Sequence, residues 1–301
     1  MRDVLLMVIS YFSITSLCRR MEPEEILSSS LETLYDFAPI ALSSPGGLFT
    51  YIYRPQDPDS SSLKITLSVP YTQKEHWSLH ASNIWVAALY IADHILELDL
   101  PAKETSSPDT NTPPLRLIEL GAGSGLPSIL IAKCYPHISV IASDFPDAKL
   151  IHTLRDNVRR NNVAQNCTVV PHAWGTDPSA LLPPPADVVL AADTLWDPAR
   201  HAVLLQTICA VLARTPAARA HLVAGLHTGK YTLDAFFRAA RAAGLAIVEA
   251  TEREVVGGEK EKVAGRREWD VGRRLAAGGE DEDERERRRW IVWSVLKWGD
   301  L

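Results

Sequence analysis

One run constrains this chain more than any other: Leu117-Ile118-Glu119-Leu120-Gly121-Ala122-Gly123-Ser124-Gly125-Leu126-Pro127. An apolar strand closes on an acid and enters a turn with glycine at every second position. A helix-forming stretch, Ser128 to Lys133, follows at once. Glycines at a strand-to-helix turn accept dihedrals that side chains resist and let a ligand approach the main chain. The helix opening there offers unpaired N–H groups to a negatively charged part of that ligand. The run therefore predicts a nucleotide-cofactor site, with Glu119, Gly121, Ala122, Gly123 and Gly125 around it.

The same periodicity continues around the motif. Strands are expected at Leu115–Leu120, Ser139–Ser143, Cys167–Pro171, Asp187–Ala192, Ala220–Leu226, Leu245–Ala250 and Trp290–Trp298. Helices are expected at Ser128–Tyr135, Asp147–Asn162, Ala199–Ala213 and Thr232–Ala243, the last ended by Gly244 as a C-cap. Upstream, His80 to Glu97 carries Ile84, Ala88, Ile91 and Ile95 on one helical face. Alternation of strand and helix predicts an α/β fold: a doubly wound, mostly parallel sheet covered on both faces. A late hairpin would form its antiparallel end.

The rest of the chain frames this domain. Val4 to Cys18 is apolar but short for a membrane span, and Arg2 is offset by Asp3. Residues 1–20 are read as a dispensable extension, with translation beginning at Met21 or with a short anchor as the other reading. Residues 21–75 form a Ser-, Pro- and Gly-rich lead-in with one or two β segments. Lys103 to Pro114 is a linker loop, and 76–301 is the α/β domain that carries the glycine turn. Residues 252–289, dense in both charge signs, read as a solvated insertion.

A net charge of −6 argues against a sequence-independent nucleic-acid binder. Cys18, Cys134, Cys167 and Cys209 are scattered, with no metal-ligand spacing, which suits free thiols in a reducing compartment. No membrane association and no metal are expected.

Three further landmarks lie where an open α/β sheet presents ligands, at the carboxyl ends of its strands. Asp144 follows Val140-Ile141-Ala142-Ser143, at the distance past the glycines where a carboxylate meets ribose hydroxyls. His172-Ala173-Trp174-Gly175 follows the third strand, where the indole of Trp174 can lie on a purine or serve as plain core. Ala191-Ala192-Asp193-Thr194-Leu195-Trp196 closes the fourth and aims Asp193 at the site.

With Leu126 in the third slot of the dinucleotide fingerprint, the Glu119-led glycine turn resembles motif I of the seven-strand S-adenosyl-L-methionine (SAM)-dependent methyltransferases. The set E-L-G-A-G-S-G-L-P, S-D-F-P-D, A-W-G and A-D-T-L-W is similar to methyltransferase family 16, over Trp77 to Trp298. The nearest likeness is its fungal branch, called nicotinamide N-methyltransferase-like or elongation-factor N-terminal and lysine methyltransferase.

The resemblance implies a Rossmann-like class I fold, SAM as cofactor and a cytoplasmic, monomeric enzyme methylating an amine of a protein such as an elongation factor. It places Trp85 over the methionine end of SAM, Trp174 at the adenine and Asp193 beside the acceptor amine. Trp196 ends the D-x-x-W motif, and with Tyr231 it is a candidate channel wall. His227 is weighed as substrate-facing or structural. Departures from the family pattern are the first seventy residues and the long acidic run around Glu280 to Glu284. Nicotinamide methylation and NAD-dependent oxidoreduction are the competing functions.

Overall fold

The computed structural model describes residues 41, 43–55, 61–72, 76, 79–101, 113–255, 265–273 and 287–301. The apolar extension 1–20, the linker near 103–112, Trp77 and the acidic run 280–284 lie outside the described residues.

Five parallel strands make the centre: β3 (Arg116–Leu120), β4 (Ser139–Asp144), β5 (Cys167–Pro171), β6 (Val188–Ala192) and β7 (Arg219–Gly225). Two antiparallel strands, β8 (Leu245–Glu254) and β10 (Trp290–Trp298), complete the expected seven. The three-residue β9 (Arg266–Glu268) adds an eighth at the edge. The spatial order is β5-β4-β3-β6-β7-β10-β8-β9. The chain winds outward from β3 to β5, then returns to lay β6 and β7 on the other side. Such a reversal opens a crevice at the carboxyl ends of β3 and β6.

Alternation along each strand divides the apolar residues between two cores. Leu117, Val140, Val188 and Leu190 face α1 (Val86–Asp93), α2 (Leu126–Cys134) and α3 (Ala148–Arg160). Ile118, Leu120, Val189 and Ala191 face α4 (His201–Val211) and α5 (Lys230–Ala242). All five residues of β3 are buried, as a strand covered by helices on both faces requires. On α3, Leu150, Leu154 and Val158 point inward as the spacing predicts.

The structure departs from the sequence reading in three places, and it gives the lead-in the β segments expected of it. The helix expected over His80–Glu97 begins only at Val86. Before it, His80 takes a left-handed φ of 51°, and Trp85 is extended with its indole N–H donating to the His80 carbonyl at 2.8 Å. A local side-chain bond to the backbone thus replaces the first helical turns.

The lead-in holds a regular antiparallel hairpin, β1 (Leu48–Tyr53) and β2 (Leu63–Ser68), with Ile65 and Leu67 fully buried. Residues from Ala38 onward form one compact unit, so the hairpin belongs with the sheet and helices. The backbone of β2 is met by side chains of α3. Asn157 Oδ1 accepts from Ser68 N at 2.8 Å, and Asn161 Oδ1 accepts from Thr66 N at 3.0 Å. Their amides donate back to the carbonyls of the same residues. Two asparagines thereby satisfy backbone groups that a further strand would otherwise pair.

The charged stretch is not solvated throughout. β8 runs past Ala250 to Glu254, and Glu252 and Arg253 are buried. Glu252 receives Lys230 Nζ at 2.7 Å and Arg267 Nε at 2.7 Å. Lys230 also donates to the carbonyls of Asp270 and Arg273. Burial is tolerated because Glu252 is paired through both oxygens and the Lys230 ammonium uses all three of its donors. Lastly, α5 starts at Lys230, two residues before the expected Thr232, because this ion pair holds its first turn.

Candidate functional site

β3 stops where Gly121 and Ala122 both donate to Ser143 O, at 2.9 and 3.0 Å, turning the chain across the top of β4. All three glycines are left-handed, with φ of 81°, 56° and 87°. Their reasons differ. A Cβ on Gly121 would lie 3.0 Å from Thr194 Cγ2 and 3.3 Å from Trp174 Cζ2, and one on Gly125 would lie 2.6 Å from Leu154 Cδ1. A Cβ on Gly123 would meet no protein atom within 4 Å. Two glycines therefore serve packing, and the third faces open space.

Glu119 is 1% exposed, and its carboxylate accepts both the amide N–H of Ser128, at 3.0 Å, and the Ser128 hydroxyl. Burial pushes this acid up to about 8, against the pull of the Ser128 bonds. The acid fastens the first turn of α2 to the end of β3. Asn157 adds a second fastening by donating to Ser124 O at 2.9 Å.

At the end of β4, Asp144 Oδ2 accepts from Gly123 N at 2.6 Å and Oδ1 from Phe145 N at 2.7 Å. Burial raises its carboxyl to about 6, with both amides opposing. Asp144 thus binds the glycine turn itself and keeps spare lone pairs toward the cavity. Phe145, which the sequence reading left without a role, also lines that cavity. His76 meets its ring edge-on at 5.0 Å and is held there by Asp147 at 2.7 Å.

Across the crevice stands Asp193. Its φ of 53° is left-handed, which Asp tolerates better than most residues. Oδ1 accepts from Gly225 N at 3.0 Å, tying the end of β6 to the end of β7. Oδ2 is enclosed and has no hydrogen-bond partner among the described residues. Burial raises this carboxyl, while His227 and the Gly225 amide pull it down. Aromatic rings line the same cavity: Trp85, Trp196 and His80, the last meeting Trp196 edge-on at 4.8 Å.

A single cavity brings together Trp85, Glu119, Gly121, Ala122, Gly123, Gly125, Asp144, Trp174, Asp193 and Trp196, the whole of the set expected from sequence. Tyr231 is not among its walls and is 79% exposed. His227 lies beside Trp85, rings nearly parallel at 16° with centroids 5.9 Å apart. Sequence reasoning missed Phe145, His80 and Arg200. Only Phe145 carried a usable signal, since it directly follows Asp144. The residues fit a nucleoside-bearing cofactor. Gly123 leaves an open cradle, and Thr194 Oγ1, His172 Nε2 and Asp193 Oδ2 are enclosed without partners among the described residues. Among the described residues there is no cluster of three or more His, Cys, Asp or Glu able to hold a metal.

A glycine turn under a helix N-terminus, a carboxylate ending the next strand and a cavity at the reversal of strand order define a nucleotide-cofactor-binding protein of the doubly wound class. Residues 67–240 match the family model described as lysine methyltransferase, and the chain belongs to that family. The fission-yeast protein N-terminal and lysine N-methyltransferase efm7 is 26% identical over 53% of this chain and 58% of its own length. EEF1A lysine methyltransferase 3 of Xenopus tropicalis is 30% identical over 42% of this chain and 51% of its own. Human histone-arginine methyltransferase METTL23 is 32% identical over 44% of this chain and 64% of its own. The matched stretch thus covers between half and two thirds of each of these relatives.

Proposed function

We propose that this chain is a SAM-dependent N-methyltransferase acting on an amine of another protein, a lysine or an N-terminus. A translation elongation factor is the first substrate to test, given the name of the Xenopus relative. The reading includes a monomeric enzyme working in the cytoplasm. Among the described residues no helix is long and apolar enough to cross a membrane.

One observation carries the proposal: an enclosed carboxylate oxygen, Asp193 Oδ2, without a partner and walled by aromatic rings at the crevice. SAM, when bound, would supply a methyl group activated by its sulfonium sulfur, ready for transfer to a neutral amine. The chain's own task is alignment and water exclusion. Holding two reactants in line is worth on the order of 7–11 kcal/mol in well-oriented models. In this reading Asp144 accepts from ribose hydroxyls, Trp174 lies on the adenine and Asp193 orients an amine N–H. The aromatic walls disfavour the protonated amine by excluding water, so more of it reaches the attacking neutral form.

The carboxylate pattern favours an amine over a guanidinium. A guanidinium presents a planar fork best matched by two acceptor oxygens of one carboxylate. Here Asp193 Oδ1 is engaged by Gly225, which leaves that carboxylate a single point acceptor in Oδ2.

The test incubates the full chain and labelled SAM with purified elongation factor, cell lysate or nicotinamide. Label in a protein amine is expected, and label in nicotinamide alone would defeat the reading. Asp193→Asn should keep S-adenosylhomocysteine binding and lose transfer by on the order of 100-fold, the worth of one charge-assisted orienting bond.

A further inference from the structure

β4 and β5 run side by side with Asp144 opposite Pro171, and just past the strand ends His172 N donates to Asp144 O at 2.8 Å. His172 thus lies one strand beyond the residue whose carboxylate meets the glycine turn, toward the edge of the sheet. It is 4% exposed and lines the cavity, yet its Nε2 is enclosed with no hydrogen-bond partner among the described residues. A buried polar atom without a partner is rare, because nothing repays its lost hydration. Burial also pulls the ring below the ordinary histidine value, against the Asp177 charge. Near pH 7 the imidazole is therefore neutral, with one nitrogen free to accept.

The backbone that carries this ring is fastened on both sides. Asp144 holds it before the loop; after it, Gly175 N donates to Thr207 Oγ1 of α4 at 2.8 Å and Thr176 Oγ1 to Ala173 O at 2.7 Å. A Cβ on Gly175 would lie 2.8 Å from Val203, so loop and helix are in close contact. We propose that His172 reads the base of the cofactor: its Nε2 accepts a hydrogen bond from the 6-amino group of adenine while Nδ1 carries the ring's single proton. This rests on SAM as the cofactor and is independent of which amine receives the methyl group.

A nucleoside held through its ribose at Asp144 can turn its base toward β5 or toward β6. The β6 side is taken by Asp193, Thr194 and Trp196, at the acceptor end of the cavity. On the β5 side Phe145 and Trp174 supply aromatic walls. Neighbouring strands lie ~4.8 Å apart, so a base reaching one strand over comes to His172. The cavity's other enclosed and unpartnered side-chain atoms lie elsewhere: Ser124 Oγ in the glycine turn, Asp193 Oδ2 and Thr194 Oγ1 after β6. Nε2 is thus the atom of this kind that the base edge can meet.

The experiment compares two ligands on the full chain by isothermal titration calorimetry: 5′-methylthioadenosine and its analogue with hydrogen in place of the 6-amino group. The parent chain should bind the amino ligand on the order of 10-fold more tightly, the worth of one hydrogen bond to an atom otherwise left unpaired. His172→Phe keeps a ring, removes the nitrogen and should bind both ligands alike, so the double difference isolates the contact. His172→Gln restores an acceptor and should recover part of the preference. Circular dichroism melts show that a variant is folded, and should His172→Phe fail to fold, His172→Leu decides. No preference in the parent chain, or an unchanged preference in the folded Phe or Leu variant, overturns the proposal. Failure of the cofactor reading looks different: neither S-adenosylhomocysteine nor either nucleoside binds the folded parent chain. Failure of the protein-amine reading leaves the preference intact while no label reaches a protein.

Discussion

The three glycines of the turn should separate stability from binding when each is replaced by alanine. Gly123→Ala places an L-residue at φ 56°, which costs about 1–2 kcal/mol, and its methyl meets no protein atom within 4 Å. Gly125→Ala incurs the same backbone cost and drives a methyl to 2.6 Å from Leu154 Cδ1, in the core between α2 and α3. Overpacking of that kind adds about 1–3 kcal/mol. At ~2–4 °C per kcal/mol for a chain of this size, Gly123→Ala should lower Tm by a few degrees and Gly125→Ala by about twice as much or more. Cofactor affinity should rank the other way. The Gly123 methyl occupies the cradle a ligand would fill, so the Kd for S-adenosylhomocysteine should rise at least ~10-fold, equivalent to about 1.4 kcal/mol. Differential scanning calorimetry and isothermal titration calorimetry on both variants measure the two axes. If Gly123→Ala melts as early as Gly125→Ala while binding the ligand like the parent chain, the assignment of the cradle is wrong.

Two other outcomes follow from buried charge. Glu119 binds a proton in the folded chain up to about pH 8, whereas its ordinary value is 4.5. Between those values the folded state holds the proton that the unfolded chain has released, so stability falls as pH rises across that window. Glu119→Gln keeps an acceptor for Ser128 and should flatten the dependence, read as urea midpoints from pH 5 to 8.5; a slope equal to the parent's would count against it. Lys230→Met strips Glu252 of its buried ammonium partner and should cost about 3–5 kcal/mol in urea unfolding, against a smaller loss for the double replacement Lys230→Met with Glu252→Leu, where the half-buried Arg267 loses its carboxylate. A single variant as stable as the parent would show that the pair contributes nothing.

Sequence by itself determined the architecture and most of the cavity, because both rest on local periodicity. Buried apolar runs in β3 and β6, helical stripes such as Leu150, Leu154 and Val158, and acids at strand ends are written in consecutive residues. A parallel sheet then has few ways to arrange them, and its strand ends converge at the reversal of order. Hence Asp144, Trp174 and Asp193 were legible together with the glycine turn. Tertiary structure alone decided what touches what across the chain. Asn157 and Asn161 read as polar positions on a helix, yet they satisfy the backbone of β2, 89 and 95 residues earlier. Glu252 and Arg253 read as part of a solvated charged run, yet Glu252 is drawn inward by Lys230 and Arg267, and Arg253 by Glu97 and Glu249. Gly225 reads as the end of a strand, and only the ring of His227 lying on it explains the missing side chain. Such contacts join residues whose spacing carries no period, and their energy depends on the burial and geometry that the folded sheet creates.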